Sequence, residues 1–302
     1  MKSHTTAILM LISLSALQSP PASADAGWIT AGGSAHLIEG KAGTVSMQSE
    51  IIKIHVSKHM IKADCSFTFV NTGPACTVRM GFPDQVSMPM HDPRKHIRGS
   101  FLSFSAFADG KKLKSEIIED NDIKNGFGVW HASSVTFGEN ESKVVRHIYT
   151  VRPGIVPVSD ESNTCAKSVY YILKTAASWG KPVKQGDIYV TFDRLAIPGA
   201  LKIDLDKELD PDEWNRHSPQ NIVWMGNIKP NLEGRTVHFA FANLVPTADD
   251  NILLLYDRMN AIQALGYSGI SMGTQVLFEN LPSRLRRKIT KPNSSPSESN
   301  NH

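Results

Sequence analysis

Between residues 51 and 83 the side chains alternate in character on both sides of a turn-forming tetrapeptide. Cys65, Phe67 and Phe69 fall on one side and Ser66 and Thr68 on the other; beyond Asn71-Thr72-Gly73-Pro74, Cys76, Val78 and Met80 alternate with Thr77 and Arg79. A period of two marks half-buried strands, and an Asn/Gly/Pro turn between two such runs predicts an antiparallel hairpin. A hairpin with one apolar face is unstable alone in water and needs a second sheet to cover it. The expected architecture is therefore a β-sandwich. Just upstream, in 45–56, Ile52, Ile54 and Val56 share one face of an extended segment and Ile51, Lys53 and His55 the other.

The rest of the chain keeps this rhythm. Residues 27–40 suit an edge strand and a turn. Residues 84–99 lose the alternation to Pro, Met, His and charge, which predicts a long exposed loop; about 15 residues without regular structure is uncommon inside a compact domain and marks function or mobility. Asp109-Gly110 predicts a type I′ turn between strands at 101–108 and 111–119. Further strands are expected at 127–137, 143–151, 169–173, 187–192, 221–225, 235–242 and 252–256. A linker is expected at 153–167. Only 257–265 has helical spacing, with Met259, Ile262 and Leu265 at three-residue steps and Gly266 as a stop. The fold class is thus mainly β, an antiparallel sandwich of immunoglobulin-like or related type. It is expected in two β-rich lobes, 25–153 and 154–257, followed by a helix-and-turn segment (258–283) and a basic, disordered tail (284–302).

Composition narrows the setting. A chain of 302 residues with 41% hydrophobic content can bury a sizeable core. Residues 1–24 read as a signal peptide: Lys2, an apolar run at 7–17, then Ala22-Ser23-Ala24 as the cleavage pattern before Asp25. That run is too short to span a bilayer, and no later stretch reaches transmembrane length. The expected product is exported, periplasmic or extracellular. Removing Lys2 takes the formal charge from +3 to +2, too little to make nucleic acid or an anionic membrane a general partner.

Several short motifs invite chemistry. Three cysteines leave an odd count. Cys65 and Cys76 are either small buried hydrophobes with Cys165 incidental, or one of them pairs with Cys165 and ties its loop to the hairpin; a catalytic thiol lacks a basic or helix-N-terminal setting. Gly269-Ile270-Ser271-Met272-Gly273 has the letters of a nucleophile elbow, but the only later histidine is His302 and no aspartate follows. Ser178-Trp179-Gly180-Lys181 fits Ser-x-x-Lys, yet Pro182 denies it the required helix. His55 and His59 are four apart in strand-and-turn sequence, where they diverge, and His91, Asp92 and His96 lie in the exposed loop without further ligands. The acidic run Asp204, Asp206, Glu208, Asp210 and Asp212 suits calcium by ligand type but fails the EF-hand pattern, with Leu209 at the glycine position and Asn215 at the final glutamate. Arg284 to Lys288 form a basic cluster in the tail.

The run 45–50, the Phe67-Thr68-Phe69-Val70-Asn71-Thr72-Gly73 turn and Gly81-Phe82-Pro83-Asp84 resemble a family of uncharacterised secreted bacterial proteins, a domain of unknown function. Its members open with Gly-Gly, here Gly32-Gly33, and continue with a Met-x-Ser-Glu strand and a Phe-x-Asn hairpin ending in Phe-Pro. Trp130, Tyr149, Tyr171, Trp179 and Pro182 fit later landmarks. The first half is also similar, more distantly, to the strand-rich domain of inter-alpha-trypsin inhibitor heavy chains. The resemblance implies export and a β-rich fold, and no catalytic residues. Three functional classes follow. The first is a non-catalytic exported module that binds a protein, glycan or envelope partner. The others are a calcium-stabilised structural module and an enzyme using acids or histidines from distant segments, such as Asp84, His91 or Asp193.

Overall fold

The computed structural model describes residues 31–39, 43–84, 86–87, 98–119, 129–159, 164–204 and 221–260. The chain begins with two short strands, β1 (Ala31–Gly33) and β2 (His36–Glu39), followed by the long hairpin β3 (Val45–Val56) and β4 (Ile61–Asn71). Next come β5 (Cys76–Asp84), the pair β6 (Val86–Ser87) and β7 (Arg98–Gly99), then β8 (Ser103–Ala108), β9 (Lys111–Lys112) and β10 (Glu116–Glu119). After them run β11 (Val129–Phe137), β12 (Ser142–Val151), β13 (Gly154–Ser159) and β14 (Thr164–Ile172). A 3-10 helix, Lys174–Trp179, leads to β15 (Val183–Phe192) and β16 (Lys202–Asp204). The last described strands are β17 (Asn221–Met225), β18 (Pro230–Glu233), β19 (Thr236–Leu244) and β20 (Ile252–Asn260).

These strands form a β-sandwich. One layer is an eight-stranded sheet in the order β18-β19-β15-β3-β4-β12-β8-β9. Facing it are a four-stranded sheet, β10-β11-β5-β2, and a six-stranded sheet, β1-β14-β20-β17-β16 with β13 on β14. Pairing is mostly antiparallel; β1–β14, β15–β3 and β16–β17 run parallel. The β15–β3 and β1–β14 ladders cross the boundary expected at 153/154, so strands from both halves share sheets rather than forming separate lobes.

The expected hairpin at Asn71–Pro74 is instead an arch. β4 pairs with β3 and β12, whereas β5 pairs with β11 and β2 in the opposite sheet. The apolar faces that the alternation marks are buried: Phe67, Phe69, Met80 and Phe82 are all within 1% of fully buried. Alternation, however, fixes only which face is apolar, and two apolar-faced strands can bury themselves by opposing each other across the interior. Asn71 fastens the bend: its amide nitrogen donates to the carbonyls of Gly73, Pro74 and Gly138 at 3.0, 2.8 and 2.8 Å, and its oxygen accepts from the Thr44 hydroxyl at 2.5 Å and the Gly73 amide at 3.2 Å.

The type I′ turn is present, with φ of 46° at Asp109 and 77° at Gly110, but its second strand pairs for only two residues before the chain leaves for β10 in the other sheet. The expected linker at 153–167 contains strands β13 and β14. Pro157 lies on β13, which among the described strands pairs only with β14, and next to a bulge, where a missing N–H is tolerated. The helix expected from Asp257 starts as strand, because β20 continues to Asn260 through a bulge at Asp257, whose φ is 47°; residues 261–302 lie outside the described residues. β14 and β20 are buried on both faces: Tyr171, Leu254 and Tyr256 join the main core, and Tyr170, Leu253 and Leu255 a second cluster with Trp130.

Candidate functional site

The polar groups best placed for recognition lie where β5 ends. Asp84 closes that strand with a side chain only 1% exposed. The ribbon of β6 and β7 returns the chain so that Asp84 Oδ1 accepts from the amide and hydroxyl of Ser100, both at 2.7 Å, and Oδ2 from the Phe101 amide at 3.3 Å. Its remaining partner comes from β11, where His131 Nε2 lies 3.0 Å from Oδ2. A buried carboxylate needs such donors, and here they clasp the base of the 85–99 excursion.

Aromatic rings hold the imidazole. His131 stacks on Phe104 at 4.3 Å and on Phe101 at 5.2 Å between centroids, and Phe101 stacks on Tyr149 at 4.4 Å. With Nε2 committed to Asp84, Nδ1 is the ring nitrogen available for recognition, and it has no partner among the described residues. His131 is 11% exposed. Behind it, His147 packs edge-on to Phe82 at 4.8 Å. Burial, with His131 nearby, lowers the His147 pKa to about 3, so its ring stays neutral.

A second polar cluster occupies the centre of the sandwich. Glu50 on β3 is fully buried, accepting from the Ser34 hydroxyl at 2.6 Å and the Tyr171 hydroxyl at 3.4 Å, and its Oε1 has no partner. Burial raises its pKa to about 7 against the pull of those two hydrogen bonds. Neighbouring Cys65 is pushed well above the usual thiol range, first by burial and then by Glu50 and Asp64. It is therefore a thiol rather than a thiolate nucleophile.

The other candidates resolve into structural roles or lie elsewhere. Cys65, Cys76 and Cys165 are free thiols; Cys165 sits on β14 opposite Met259 and Pro157, not in a polar loop. Ser178 accepts from the Leu37 amide and donates to the Thr175 carbonyl, both at 2.9 Å, in the 3-10 turn that Gly180 ends. His55 is exposed, 4.0 Å from Asp193, whose Oδ1 accepts from the Ala196 amide. Asp204 ends β16, while Asp206, Glu208, Asp210, Asp212, His91, His96, 269–273 and 284–288 lie outside the described residues. Among the described residues no three His, Cys, Asp or Glu side chains are grouped to hold a metal ion, and no helix is long and apolar enough to cross a membrane. Asp84 was singled out from the sequence, but His131 and Ser100 were not. His131 is 47 residues away and looks like any polar position in an alternating strand; only the β5–β11 pairing brings the two together.

No family model and no curated protein matches the chain. Among solved structures it is similar to a candidate nutrient binding protein from Legionella pneumophila, with a TM-score of 0.54 and 16% identity over 80% of this chain and 75% of that one. An M1 zinc metallopeptidase from Deinococcus radiodurans also matches, with a TM-score of 0.33 and 11% identity over 72% of this chain and 46% of the peptidase. The first likeness is one of fold, and the second is too loose to bear on function.

Proposed function

We propose that the chain is an exported, non-catalytic binding module that holds a small nutrient at the Asp84–His131 corner of the sandwich. The observation that carries this reading is the His131 ring, held by a carboxylate on one nitrogen and stacked against two neighbouring phenyl rings, Phe101 and Phe104. Such a ring gives a ligand one fixed polar contact against an aromatic wall, the mixture that small-molecule sites use. The same geometry speaks for binding over catalysis. The Ser100 hydroxyl points to Asp84 rather than to the imidazole, so the dyad has no nucleophile in line among the described residues. The signal-like leader and the resemblance to secreted bacterial domains support export, and the nutrient-binding description of the Legionella protein supports the ligand class.

The test is a thermal-shift screen of the full chain against free amino acids, sugars and nucleosides, repeated with His131→Asn and His131→Ala. One class should raise the melting temperature of the parent protein and not of the variants. A shift that survives in both folded variants, or no shift with any class, counts against the assignment. Cell fractionation with N-terminal sequencing tests export, which predicts a mature chain beginning at Asp25.

A further inference from the structure

The ring nitrogen that His131 leaves to a ligand has a defined chemistry. Asp84 meets only donors: the Ser100 amide and hydroxyl, the Phe101 amide and, at 3.0 Å, His131 Nε2. A carboxylate oxygen can only accept, so the ring hydrogen sits on Nε2, and in a neutral imidazole the other nitrogen is then a bare acceptor. Nδ1 therefore asks its ligand for an N–H or an O–H.

The neighbouring strand adds a second acceptor and an apolar surface. The β10–β11 register sets Ile117 opposite His131 and Glu119 opposite Val129, and directly opposed side chains of an antiparallel pair share a face. Ile117 thus stands beside the imidazole, 65% exposed. Glu119 is exposed and has no partner among the described residues. It is the diagonal neighbour of His131, about 7–8 Å away across the pair, a span that long side chains bridge.

These groups border a gap in the side of the sandwich. β10 is the outermost strand of its sheet and β8 is paired with β9 only at Phe107 and Ala108, so among the described strands none lies between Phe104 and Ile117. At one end the chain crosses from sheet to sheet at 113–115, where the Leu113 amide donates to the Ala106 carbonyl at 2.8 Å and the Ser115 and Ser133 hydroxyls meet at 2.9 Å. The Asp84 clasp on Phe101 bounds the other end. Nearby charges look elsewhere: Glu116 lies on the opposite face of β10 and pairs with Arg79, and Lys112 stands opposite Phe107 on the outer face of the eight-stranded sheet.

Two acceptors around an apolar side chain fit one kind of head group best. A primary ammonium carries three hydrogens and no lone pair, so it can serve the imidazole and the carboxylate together. A hydroxyl has one hydrogen for two acceptors. A carboxylate would set its oxygens against both.

We propose that the Asp84–His131 corner selects a primary amine with a short hydrocarbon body, its ammonium donating to His131 Nδ1 and to the Glu119 carboxylate and its hydrocarbon resting on Ile117. Amine selection rests on the ligand reading of this corner and narrows it, and it makes Glu119 and Ile117 specificity-determining residues.

The experiment is an NMR titration of the full chain with isopentylamine, isopentanol and isovalerate, which share one hydrocarbon and differ in head group, read at the Ile117 methyls and the His131 ring. The amine should shift both sets of signals and bind at least about tenfold more tightly than the alcohol or the acid. Glu119→Gln should weaken the amine about tenfold and leave the alcohol unchanged; Ile117→Ser should weaken both. Glu139→Gln, an exposed acid beyond the far end of β11, should behave as the parent. The substituted side chains are exposed, and an unchanged melting curve verifies each fold. Equal binding of the alcohol or acid, no binding of the amine, or an amine indifferent to Glu119→Gln would overturn the proposal. A sugar or nucleoside whose thermal shift is lost in the His131 variants would overturn amine selection and leave the ligand corner standing, whereas silence from every compound would count against both.

Discussion

The Ser34 hydroxyl donates to the carboxyl of Glu50 across 2.6 Å in the interior, where the connection between β1 and β2 crosses from the six-stranded to the four-stranded sheet. Cys65 and Tyr171 are the titratable groups facing this carboxyl, and among the described residues no cation offsets its charge. Glu50 therefore prefers its proton in the fold, with a pKa raised from 4.5 to about 7.

The sign of the resulting pH dependence follows. Below about pH 4.5 Glu50 is protonated whether folded or not. Between there and pH 7 the unfolded chain releases the proton first, so stability falls as pH rises and then levels off. The full difference is about 3 kcal/mol. Denaturant unfolding of the parent protein and Glu50→Gln at several pH values should show the variant gaining on the parent across this window. Parallel curves would show that Glu50 is not responsible.

The arch at Asn71 yields a second expectation. Asn71→Ala leaves carbonyls and the Gly73 amide without partners at a buried bend and should cost about 3 kcal/mol, seen as a lower denaturant midpoint with unchanged slope. Asn71→Asp should be worse near neutral pH, because it sets a carboxylate against three carbonyl oxygens. A hairpin turn open to solvent would tolerate both.

Asp84 gathers donors from both sides of the 85–99 excursion. Asp84→Ala should destabilise the fold by about 3 kcal/mol, since the Ser100 and Phe101 amides lose a charged acceptor. Limited proteolysis should then cut within 85–97 faster than in the parent protein. Unchanged cleavage would mean that the carboxylate does not fasten the base of this segment.

How much of this was legible depends on range. Phe67, Phe69, Ile52 and Ile54 announce their burial through alternation alone, because the pleat sorts neighbouring residues to opposite faces. Which strand pairs with which is not written locally: β5 follows β4 by a few residues yet pairs with β2 and β11, and β3 pairs with β15 from the other half of the chain. β14 was partly missed because it is buried on both faces, which erases alternation, and because Lys167 reads as solvent-facing until Asp257 is set beside it. The candidate site suffered most. Its carboxylate was visible at a strand end, but its histidine is defined only by cross-strand pairing, and the rings that hold it come from 101–104.

The central claim is that His131 presents its free ring nitrogen to a ligand. Ring-nitrogen NMR of the full chain tests it most directly, using the compound that raises the melting temperature. The account predicts that the His131 resonances shift on addition while those of His238, which is paired with Asp187 on the outer face of the eight-stranded sheet, stay in place. Shifts at His238 with His131 unmoved would contradict it.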